Sequence, residues 1–294
     1  MMNNVLSGWI FIDKPVGKTS FDVIRVLKKV LQIKKIGHSG TLDPIATGIL
    51  GIAIGEATKS IPFFSKRKEY KFKIVFGESR DTDDVSGKTV ETIKSIPKIM
   101  EVRNCLRYFI GDIAQIPPKY SAVKVNGKRA YKLARNNENF QLKEKNISIY
   151  SLKCTGQEDA KTFSFVLECS SGTYVRALAR DIAKRLDTLG YISYLRRTKL
   201  GRIKEKNIIL LDKFEELVHI GDHFELIYPI QDALDDIPAV RLGGELGQKF
   251  QNGLSIDFFN KDIFYKPLLI LSRTEFLGIG QLNQGSLNPI RVFN

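Results

Sequence analysis

The chain has 294 residues, of which 43% are hydrophobic and 10% aromatic, enough to form the core of one large domain or two smaller ones. Its 46 basic residues outnumber its 32 acidic ones, and the formal net charge of +14 favours a polyanionic partner, either a nucleic acid or an anionic membrane. Its apolar runs are far shorter than the ~18 residues that span a bilayer, and the N-terminus lacks the features of a secretory signal. Three cysteines without CxxC spacing indicate buried thiols in a reducing compartment. We therefore expect a cytoplasmic protein that binds nucleic acid, with no membrane partner.

The N-terminal region is predicted to begin with a strand, a turn and a helix. Residues 8–13 (GWIFID) predict the strand, KPVGK predicts the turn, and Thr19 or Ser20 can cap the helix. The apolar residues that share one face of this helix are Phe21, Ile24, Leu27 and Leu31. Residues 49–54 (ILGIAI) predict either a buried strand or an apolar helix, because a short apolar run fits both.

The middle of the chain alternates predicted strands with polar segments. Residues 70–76 (YKFKIVF) alternate apolar and charged side chains at their start, which is typical of a half-buried strand, and residues 163–169 (FSFVLEC) predict another. Residues 80–87 (RDTDDVSG) predict an acidic loop, and residues 99–109 a short helix. Residues 115–146 are rich in lysine and arginine, contain proline and glycine, and include tyrosines. We predict a long basic loop or extension there.

Two further helices are predicted in the second half of the chain. Residues 176–190 (RALARDIAKRLDTLG) predict a helix, with Gly190 as the left-handed residue after its end. Residues 195–204 predict a basic turn and strand, and Asp212 with Glu215 resembles a capping box at the start of another helix.

The residue pattern of the sequence changes at about residue 235. The remainder contains short apolar runs, glycine-rich turns and one short helical pattern, ELGQKFQNG, with Gly253 after its end. We therefore predict a small β-rich module over residues 235–294.

Two motifs that could bind a nucleotide or a metal are incomplete. GKTS at 17–20 would need a glycine at position 12, which is Ile12, and Pro15 removes a backbone N–H that a phosphate loop uses. His219 and His223 have the i, i+4 spacing of zinc ligands, but neither a cysteine pair nor an HExxH motif accompanies them. We therefore predict a strand–turn–helix at GKTS and no metal site.

The glycine-rich loop GHSGTLDP (37–44) carries an aspartate, Asp43. A loop aspartate usually caps a turn or a helix, and the proline after it suits that role. Other segments favour a chemical role, because GTYVRALARD supplies Tyr174 and Arg176 and YLRR supplies Leu195. An aspartate, an arginine that holds it as an ion, and aromatic faces that stack a base would form a site for a nucleobase.

Six segments, in order along nearly the whole chain, carry a more specific signal. They are DKPVGKTS (13–20), GHSGTLDPIATGIL (37–50), EYKFKIVFGESRDTDD (69–84), IPPKYSAVKVNGKRAYKLAR (116–135), SSGTYVRALARDI (170–182) and YLRRTKLG (194–201). Together they resemble the bacterial tRNA pseudouridine-55 synthase family, the TruB type. The C-terminal stretch resembles the PUA-like RNA-binding module of that family.

The resemblance implies an isomerase that converts one uridine in the T-loop of tRNA, at position 55, to pseudouridine. The base leaves the ribose through N1, turns and rejoins through C5, and neither a cofactor nor a metal is needed. Asp43 falls on the catalytic aspartate of the family. His38 falls on the histidine that stacks within the T-loop when the target base is flipped out.

The resemblance also implies five substrate-binding positions, which fall on Tyr70, Asp84, Tyr174, Arg176 and Leu195. Tyr70 corresponds to the tyrosine beside the uracil, and Leu195 to a leucine that lines the base pocket. Tyr174 corresponds to a tyrosine on the substrate side, and Arg176 to the arginine that pairs with the catalytic aspartate. Asp84 corresponds to an acidic position near the site.

The fold expected from these signals is mixed α/β (α+β), in two domains. Residues 1–234 would form a catalytic domain of the pseudouridine synthase fold, with a largely antiparallel central sheet flanked by helices and a basic RNA-binding insertion near 115–146. Residues 235–294 would form the PUA-like RNA-binding domain. We expect a monomer that binds the T-arm of tRNA and needs no obligate protein partner.

Two other functions stay open at this point. The chain could be a non-catalytic RNA-binding or tRNA-folding protein in which Asp43 only caps a turn. It could also be a nucleotide kinase that binds ATP through GKTS. An enzyme on tRNA and a non-catalytic RNA binder both predict basic grooves and salt-dependent binding, so charge alone does not separate them.

Overall fold

The structure of the chain, a computed structural model, describes residues 6–258, 267–273 and 275–293. The helices are α1 (Ser20–Val30), α2 (Ile99–Cys105), α3 (Ala130–Arg135), α4 (Val175–Arg185), α5 (Leu211–Ile220), α6 (Ile230–Ala233) and α7 (Gly244–Gln251). The strands are β1 (Gly8–Lys14), β2 (Ile36–His38), β3 (Thr47–Ile54), β4 (Lys68–Phe76), β5 (Glu78–Arg80), β6 (Thr89–Thr92), β7 (Gly111–Gln115), β8 (Lys124–Val125), β9 (Lys128–Arg129), β10 (Lys145–Gln157), β11 (Thr162–Cys169), β12 (Gly190–Leu200), β13 (Ile203–Lys204), β14 (Ile209–Leu210), β15 (Ala239–Leu242), β16 (Ile256–Asp257), β17 (Pro267–Ser272), β18 (Glu275–Asn283) and β19 (Ser286–Val292).

A large central sheet organises the first 210 residues. Its strand order is β14-β1-β3-β12-β4-β11-β10-β7, with β2 beside β3 and β13 beside β12. The pairs β1–β14 and β3–β12 are parallel, and the other neighbours along this order are antiparallel. The predicted mixed α/β fold with a largely antiparallel central sheet is therefore confirmed.

The strand β1 is buried on both faces, which explains its nearly continuous apolar sequence. Ile10 and Ile12 belong to the main core, which also takes in the buried faces of α1, α4 and α5. Trp9 and Phe11, which alternate with them, belong to a second core on the opposite face. Because side chains alternate along a strand, one short segment contributes to two separate cores.

The C-terminal part is β-rich, as predicted. Its sheet has the order β15-β17-β18-β19-β16, and α7 packs against it. Phe250 of α7 is fully buried in the core of this sheet. Leu269, Ile279 and Phe293 join the second core, beside Trp9 of β1. The C-terminal sheet is therefore attached to the central sheet by shared apolar burial.

Several predicted local features are confirmed. Thr19 caps α1 in a capping box, and Gly253, with φ of +79°, follows the end of α7. Residues 49–54 lie in β3, so of the two alternatives the strand is the right one. GKTS occupies a turn and the start of α1, as predicted.

Other local predictions are wrong. Phe21 is 65% exposed, because α1 buries the face that carries Val23, Ile24 and Leu27. The helix α4 ends at Arg185, so Gly190 is the first residue of β12 rather than a helix terminator. There it pairs with Phe76 of β4, and a Cβ would lie only 3.0 Å from the Ala183 side chain. Gly190 therefore serves close packing between α4 and the sheet.

Two further corrections concern polar segments. Asp212 is not the cap of α5, because Leu210 occupies that position without a side-chain cap and Asp212 is already within the helix. Residues 115–146 are not only a loop. They include the hairpin of β8 and β9 and the helix α3, in which Ala130 and Leu133 are buried. Local apolar contacts therefore order part of this basic segment.

Other features concern cysteines, histidines and membranes. Cys105, Cys154 and Cys169 are buried free thiols, as predicted. His219 lies in the last turn of α5, and the ring of His223 stacks on Phe224 with centroids 4.3 Å apart. Within residues 6–258, 267–273 and 275–293, no helix is long and apolar enough to cross a membrane.

A prediction follows from Gly48, where β3 crosses close to β12. Gly48 and the exposed Gly111 have similar φ values, +94° and +97°. An alanine Cβ at position 48 would lie 2.2 Å from the Arg197 carbonyl oxygen, whereas one at position 111 has no atom within 4 Å. Left-handed strain costs roughly 1–2 kcal/mol. We expect Gly111→Ala to lose about that much free energy of unfolding in urea and Gly48→Ala to lose clearly more. Equal losses would contradict this account.

Candidate active site

A cavity of about 610 Å³ opens between the loop 37–44, the strands β4 and β12, the start of α4 and the basic insertion. This volume is in the range of pockets that bind small ligands. Six of the seven residues predicted from the sequence line it, namely Asp43, Tyr70, Asp84, Tyr174, Arg176 and Leu195. The tertiary structure therefore brings together residues from five separate segments of the chain.

The backbone beside Asp43 is held from two sides. The N–H of Leu42 donates to the Ser20 hydroxyl at 2.8 Å, and that hydroxyl donates back to the Leu42 carbonyl at 3.2 Å. The N–H of Gly17 donates to the Pro44 carbonyl at 2.8 Å. The start of α1 and the turn before it therefore fix the loop on both sides of the aspartate.

The buried lysine Lys14 adds a third anchor to this loop. Its Nζ donates to the carbonyls of Pro15 at 2.8 Å, Lys18 at 2.5 Å and Pro44 at 3.5 Å. Burial lowers the pKa of Lys14 to about 8, although the charge of Asp43 opposes the shift. No role for Lys14 was predicted from the sequence, although it lies in the segment DKPVGKTS.

Asp43 forms a bidentate ion pair with Arg176. The Nε of Arg176 donates to Oδ2 at 2.9 Å, and Nη2 donates to Oδ1 at 3.0 Å. The Arg176 side chain is only 4% exposed, whereas Asp43 is 32% exposed and lines the cavity. A fork-to-fork pair of this kind fixes the orientation of a carboxylate. The Asp43 carboxylate is thus ion-paired and held in a fixed orientation at the cavity wall.

Two more N–H groups of Arg176 are also occupied. Nη1 donates to the Thr82 carbonyl at 2.7 Å, and Nη2 donates to the Tyr120 carbonyl at 3.0 Å. Burial alone would lower the pKa of Arg176, but the charges of Asp43 and Asp84 outweigh it and raise that pKa. The guanidinium therefore stays charged and has little freedom to move.

Asp84 is almost fully buried behind this pair. Its Oδ1 accepts from the Thr82 hydroxyl at 2.8 Å, from the Ser86 N–H at 2.9 Å and from the Ser86 hydroxyl at 2.5 Å. Its Oδ2 lies 3.5 Å from the Nε of Arg176. One oxygen is thus held by the loop 80–87, and the other faces the guanidinium.

Tyr70 and Leu195 form an apolar wall of the cavity. They lie on the adjacent strands β4 and β12, where Tyr70 pairs with Arg197 and Leu195 with Phe72. Burial raises the pKa of Tyr70, so its phenol is neutral near pH 7. These two residues offer a phenol ring and an aliphatic side chain to a planar ligand.

Tyr174, the residue before α4, is positioned through its backbone. Its N–H donates to the Gln115 side-chain oxygen at 2.9 Å, and the Gln115 amide donates back to the Tyr174 carbonyl at 3.1 Å. Burial and, secondly, the charge of Asp43 raise the pKa of Tyr174. Gln115 at the end of β7 was missed in the sequence, because an amide that pairs with backbone leaves no local pattern.

His38 is the predicted site residue that does not line the cavity. It ends β2, where it pairs with Ile52, and its Nδ1 accepts from the Gly40 N–H at 3.3 Å. Burial lowers its pKa, and the positive charges of Arg197 and Lys68 lower it further. His38 is therefore a neutral imidazole near pH 7, set beside the loop that carries Asp43.

Two buried cations at the cavity were missed in the sequence analysis. Lys68 lines the cavity and is only 7% exposed, and burial, followed by the charge of Arg197, lowers its pKa to about 8. Arg197 has no exposed surface. The signal for Lys68 was its place two residues before Tyr70 on one strand, which puts both on the same face.

Matches to protein families define the class of protein. Residues 28–175 match the family described as "TruB family pseudouridylate synthase (N terminal domain)". Residues 238–293 match "Pseudouridine synthase II TruB, C-terminal". The chain is therefore an isomerase of the pseudouridine synthase class.

Full-length relatives support the same class. The protein named tRNA pseudouridine synthase B from Caulobacter sp. (strain K31) is 38% identical over 300 residues, covering 99% of this chain and 97% of the relative. The protein of that name from Rickettsia bellii (strain OSU 85-389) is 40% identical over 291 residues, covering 98% of each chain. This chain belongs to the TruB family.

The fold is also found among solved structures. A Cbf5–Nop10–Gar1 complex contains a chain that matches with a TM-score of 0.75 and 22% identity, over 98% of this chain and 84% of that one. At this identity the likeness supports the fold alone.

The lowered pKa of Lys68 predicts a pH-dependent stability. A folded pKa of about 8 lies below the ordinary value of 10.5, so the unfolded chain holds more protons between these values. The charged lysine therefore opposes folding, and its contribution to the free energy of unfolding rises with pH through this window. Lys68→Met should be more stable than wild type at pH 7, by up to about 3 kcal/mol. This gap in the free energy of unfolding between the variant and wild type should close toward pH 10.5.

Urea unfolding at pH 7, 8, 9 and 10 measures this gap. Lys71→Met is the matched control, because Lys71 lies on the same strand and is exposed. A gap that does not change with pH for Lys68→Met, or one that closes equally for Lys71→Met, would contradict the prediction.

Proposed function

We propose that this chain converts uridine 55 in the T-loop of tRNA to pseudouridine, with Asp43 as the catalytic group. The observation that carries the proposal is the ionised Asp43 carboxylate, held by Arg176 at the wall of a cavity that can take a nucleotide. The names of the full-length relatives support tRNA as the substrate. The net charge of +14 suits a polyanionic substrate of this kind.

The reaction breaks the bond between N1 of uracil and C1′ of ribose and forms one between C5 and C1′. The proton on C5 is lost, and N1 gains one, so the product is an isomer. Cleavage leaves positive charge on the sugar, which a nearby carboxylate stabilises electrostatically or traps as a covalent bond. Asp43 has one face open to the cavity and its orientation fixed by Arg176, which suits either role.

We assign Tyr70 and Leu195 to the uracil, because their neighbouring strands form the flat wall of the cavity. Tyr70 would stack on the base, and its neutral hydroxyl would relay the C5 proton, accepting it while it releases its own. Tyr174 would bind the substrate from the opposite side, beside Asp43. Asp84 would act through Arg176, by fixing the guanidinium that holds Asp43.

A uridine within a folded loop must leave its stack to reach this cavity, so we propose that the enzyme flips the target base. His38 would stack in the space that the base leaves in the T-loop. Its placement supports this role, because it is neutral and adjoins the loop of Asp43 without occupying the cavity.

The basic insertion near 115–146 would grip phosphates of the T-arm. It is tied to the catalytic elements, since Arg180 of α4 donates to the Ile116 carbonyl at 2.9 Å and Arg176 donates to the Tyr120 carbonyl. We propose that residues 1–234 form the catalytic domain and that residues 235–294 form a PUA-like domain that also binds RNA. The chain would act as a monomer.

The first test replaces Asp43. Asp43→Asn keeps the size of the side chain but removes its charge, so we expect pseudouridine formation to fall by at least roughly 1,000-fold. The dissociation constant for tRNA should stay nearly unchanged, because phosphate contacts supply most of the affinity. Single-turnover assays and filter binding with an unmodified tRNA transcript measure the two quantities.

Asp13→Asn is the matched control for this test. Asp13 also accepts two hydrogen bonds from one arginine, Arg196, at 3.0 Å and 2.8 Å, but it does not line the cavity. This variant should lose stability and keep its activity once folded. If Asp43→Asn retains activity, or if wild-type protein binds tRNA and converts no uridine, a non-catalytic RNA-binding or tRNA-folding role is favoured instead.

The second test concerns the target nucleotide. An unmodified tRNA transcript incubated with the protein should acquire a single pseudouridine, at position 55, as read by carbodiimide mapping and mass spectrometry. A transcript with cytidine at position 55 should stay unmodified, because it lacks the target uracil but keeps the fold of the T-arm. Conversion at another uridine would reject the T-loop assignment but not the enzymatic class.

A further inference from the structure

One wall of the cavity carries two buried cations that converge on Gly40. A Cβ built on Gly40 would lie 2.9 Å from the Nζ of Lys68 and 3.8 Å from Nη1 of Arg197. The absence of a side chain at Gly40 leaves room for the ammonium above the loop. Gly40 and Lys68 line the cavity, and Arg197 lies directly behind them.

These two cations lack an anionic partner within the described part of the chain. Arg197 donates through Nε to the Ile49 carbonyl at 2.6 Å and through Nη2 to the Gly40 carbonyl at 3.2 Å, while its buried Nη1 has no hydrogen-bond partner. The Nζ of Lys68, whose backbone belongs to the sheet, makes neither a hydrogen bond nor an ion pair among the described residues. Buried charges are ordinarily paired.

The carboxylates of the cavity do not supply the missing charge. Asp43 is held by Arg176, and Asp84 faces the same guanidinium and is otherwise bonded to its own loop. Among the described residues, the positive charge of Lys68 and Arg197 is therefore uncompensated, and the Lys68 ammonium is the group that meets the cavity. A ligand that enters the cavity is the remaining source of an anion.

We propose that Lys68, supported by Arg197, binds a backbone phosphate of the substrate RNA when the target nucleotide enters the cavity. The inference rests on the proposed function for the identity of the ligand as RNA. Alternation along β4 puts Lys68 and Tyr70 on the same face, ~7 Å apart. A nucleotide whose base stacks on Tyr70 would thus direct its backbone toward the ammonium.

A phosphate suits this wall better than the base does. Uracil carries negative charge only briefly, after the bond to the ribose breaks, whereas a phosphodiester is charged throughout. A cation pair that is buried at every stage is best matched by an anion that is present at every stage. A bound phosphate would also oppose the lowering of the Lys68 pKa and keep the ammonium charged.

The first experiment measures tRNA affinity as a function of salt. Loss of one charge-assisted contact should weaken binding by Lys68→Met about tenfold at low salt. The slope of the logarithm of the affinity against the logarithm of the salt concentration should fall by about one. The factor lost in affinity should exceed any factor lost in the single-turnover rate at saturating tRNA, because the phosphate is charged before and throughout the reaction. Lys71→Met, at an exposed position of the same strand, should leave affinity and slope nearly unchanged.

The second experiment removes the charge from the RNA instead. T-arm stem-loops with a single neutral methylphosphonate at each position flanking the target uridine are compared. One substitution should weaken wild-type binding by the same factor as Lys68→Met does and should have no further effect on that variant. Urea unfolding checks that Lys68→Met is folded, and the removal of an unpaired buried charge should not lower its stability.

Unchanged affinity and unchanged salt slope for Lys68→Met would overturn the proposal. It would also be overturned if affinity is retained but the saturating rate falls, since the cation would then act on the departing base. If every methylphosphonate weakens binding by Lys68→Met as much as it weakens binding by wild type, the assigned contact is ruled out. The pseudouridine assay on the wild-type protein tests the proposed function separately, so the two failures are distinguishable.

Discussion

The bidentate pair between Asp43 and Arg176 is the constraint on which the rest of the site depends. The two residues are 133 positions apart in the chain, and the pair forms only when the loop 37–44 meets the start of α4. Each partner is held independently, the loop by Ser20 and Lys14 and the guanidinium by two backbone carbonyls. Because breaking a buried pair leaves an uncompensated charge, the pair also holds the loop 37–44 against the start of α4.

Charge is distributed unevenly around the cavity. At the wall of Asp43 and Asp84, each carboxylate faces the same guanidinium, so this wall is electrically satisfied before any ligand enters. At the wall of Lys68 and Arg197, burial lowers the pKa of the lysine, and no carboxylate in the described part of the chain pairs with it. Such a cavity is preorganised toward a ligand that brings its own negative charge, as a nucleic acid does.

The pairing of strands in the central sheet sets the positions of these cavity walls relative to one another. The parallel pairing of β3 with β12 sets Gly48 against the backbone of Arg197, close enough that a side chain at Gly48 would collide with it. The antiparallel pairing of β12 with β4 then places Tyr70 opposite Arg197. The loop that carries Asp43 leads directly into β3. The position of the aspartate relative to the wall of Tyr70 and Leu195 is therefore a consequence of strand register.

Features with a local physical cause could be predicted from the amino-acid sequence alone. Alternation along β4, the capping box at Thr19 and the left-handed glycine after α7 were readable because they depend on neighbours in the chain. The segments that resemble the TruB family identified six of the residues that line the cavity. Their convergence there was visible only in the structure.

Features that depend on distant partners became visible in the folded chain. It assigned Gly190 to a strand and exposed Phe21, because packing against the sheet outweighs local pattern. It also revealed Lys68 as a buried cation. The sequence shows a lysine in a basic chain, but the surroundings of its ammonium depend on Arg197, 129 residues away, and on the absence of a side chain at Gly40. Burial and pairing of charge are properties of three-dimensional neighbours, which a linear pattern does not contain.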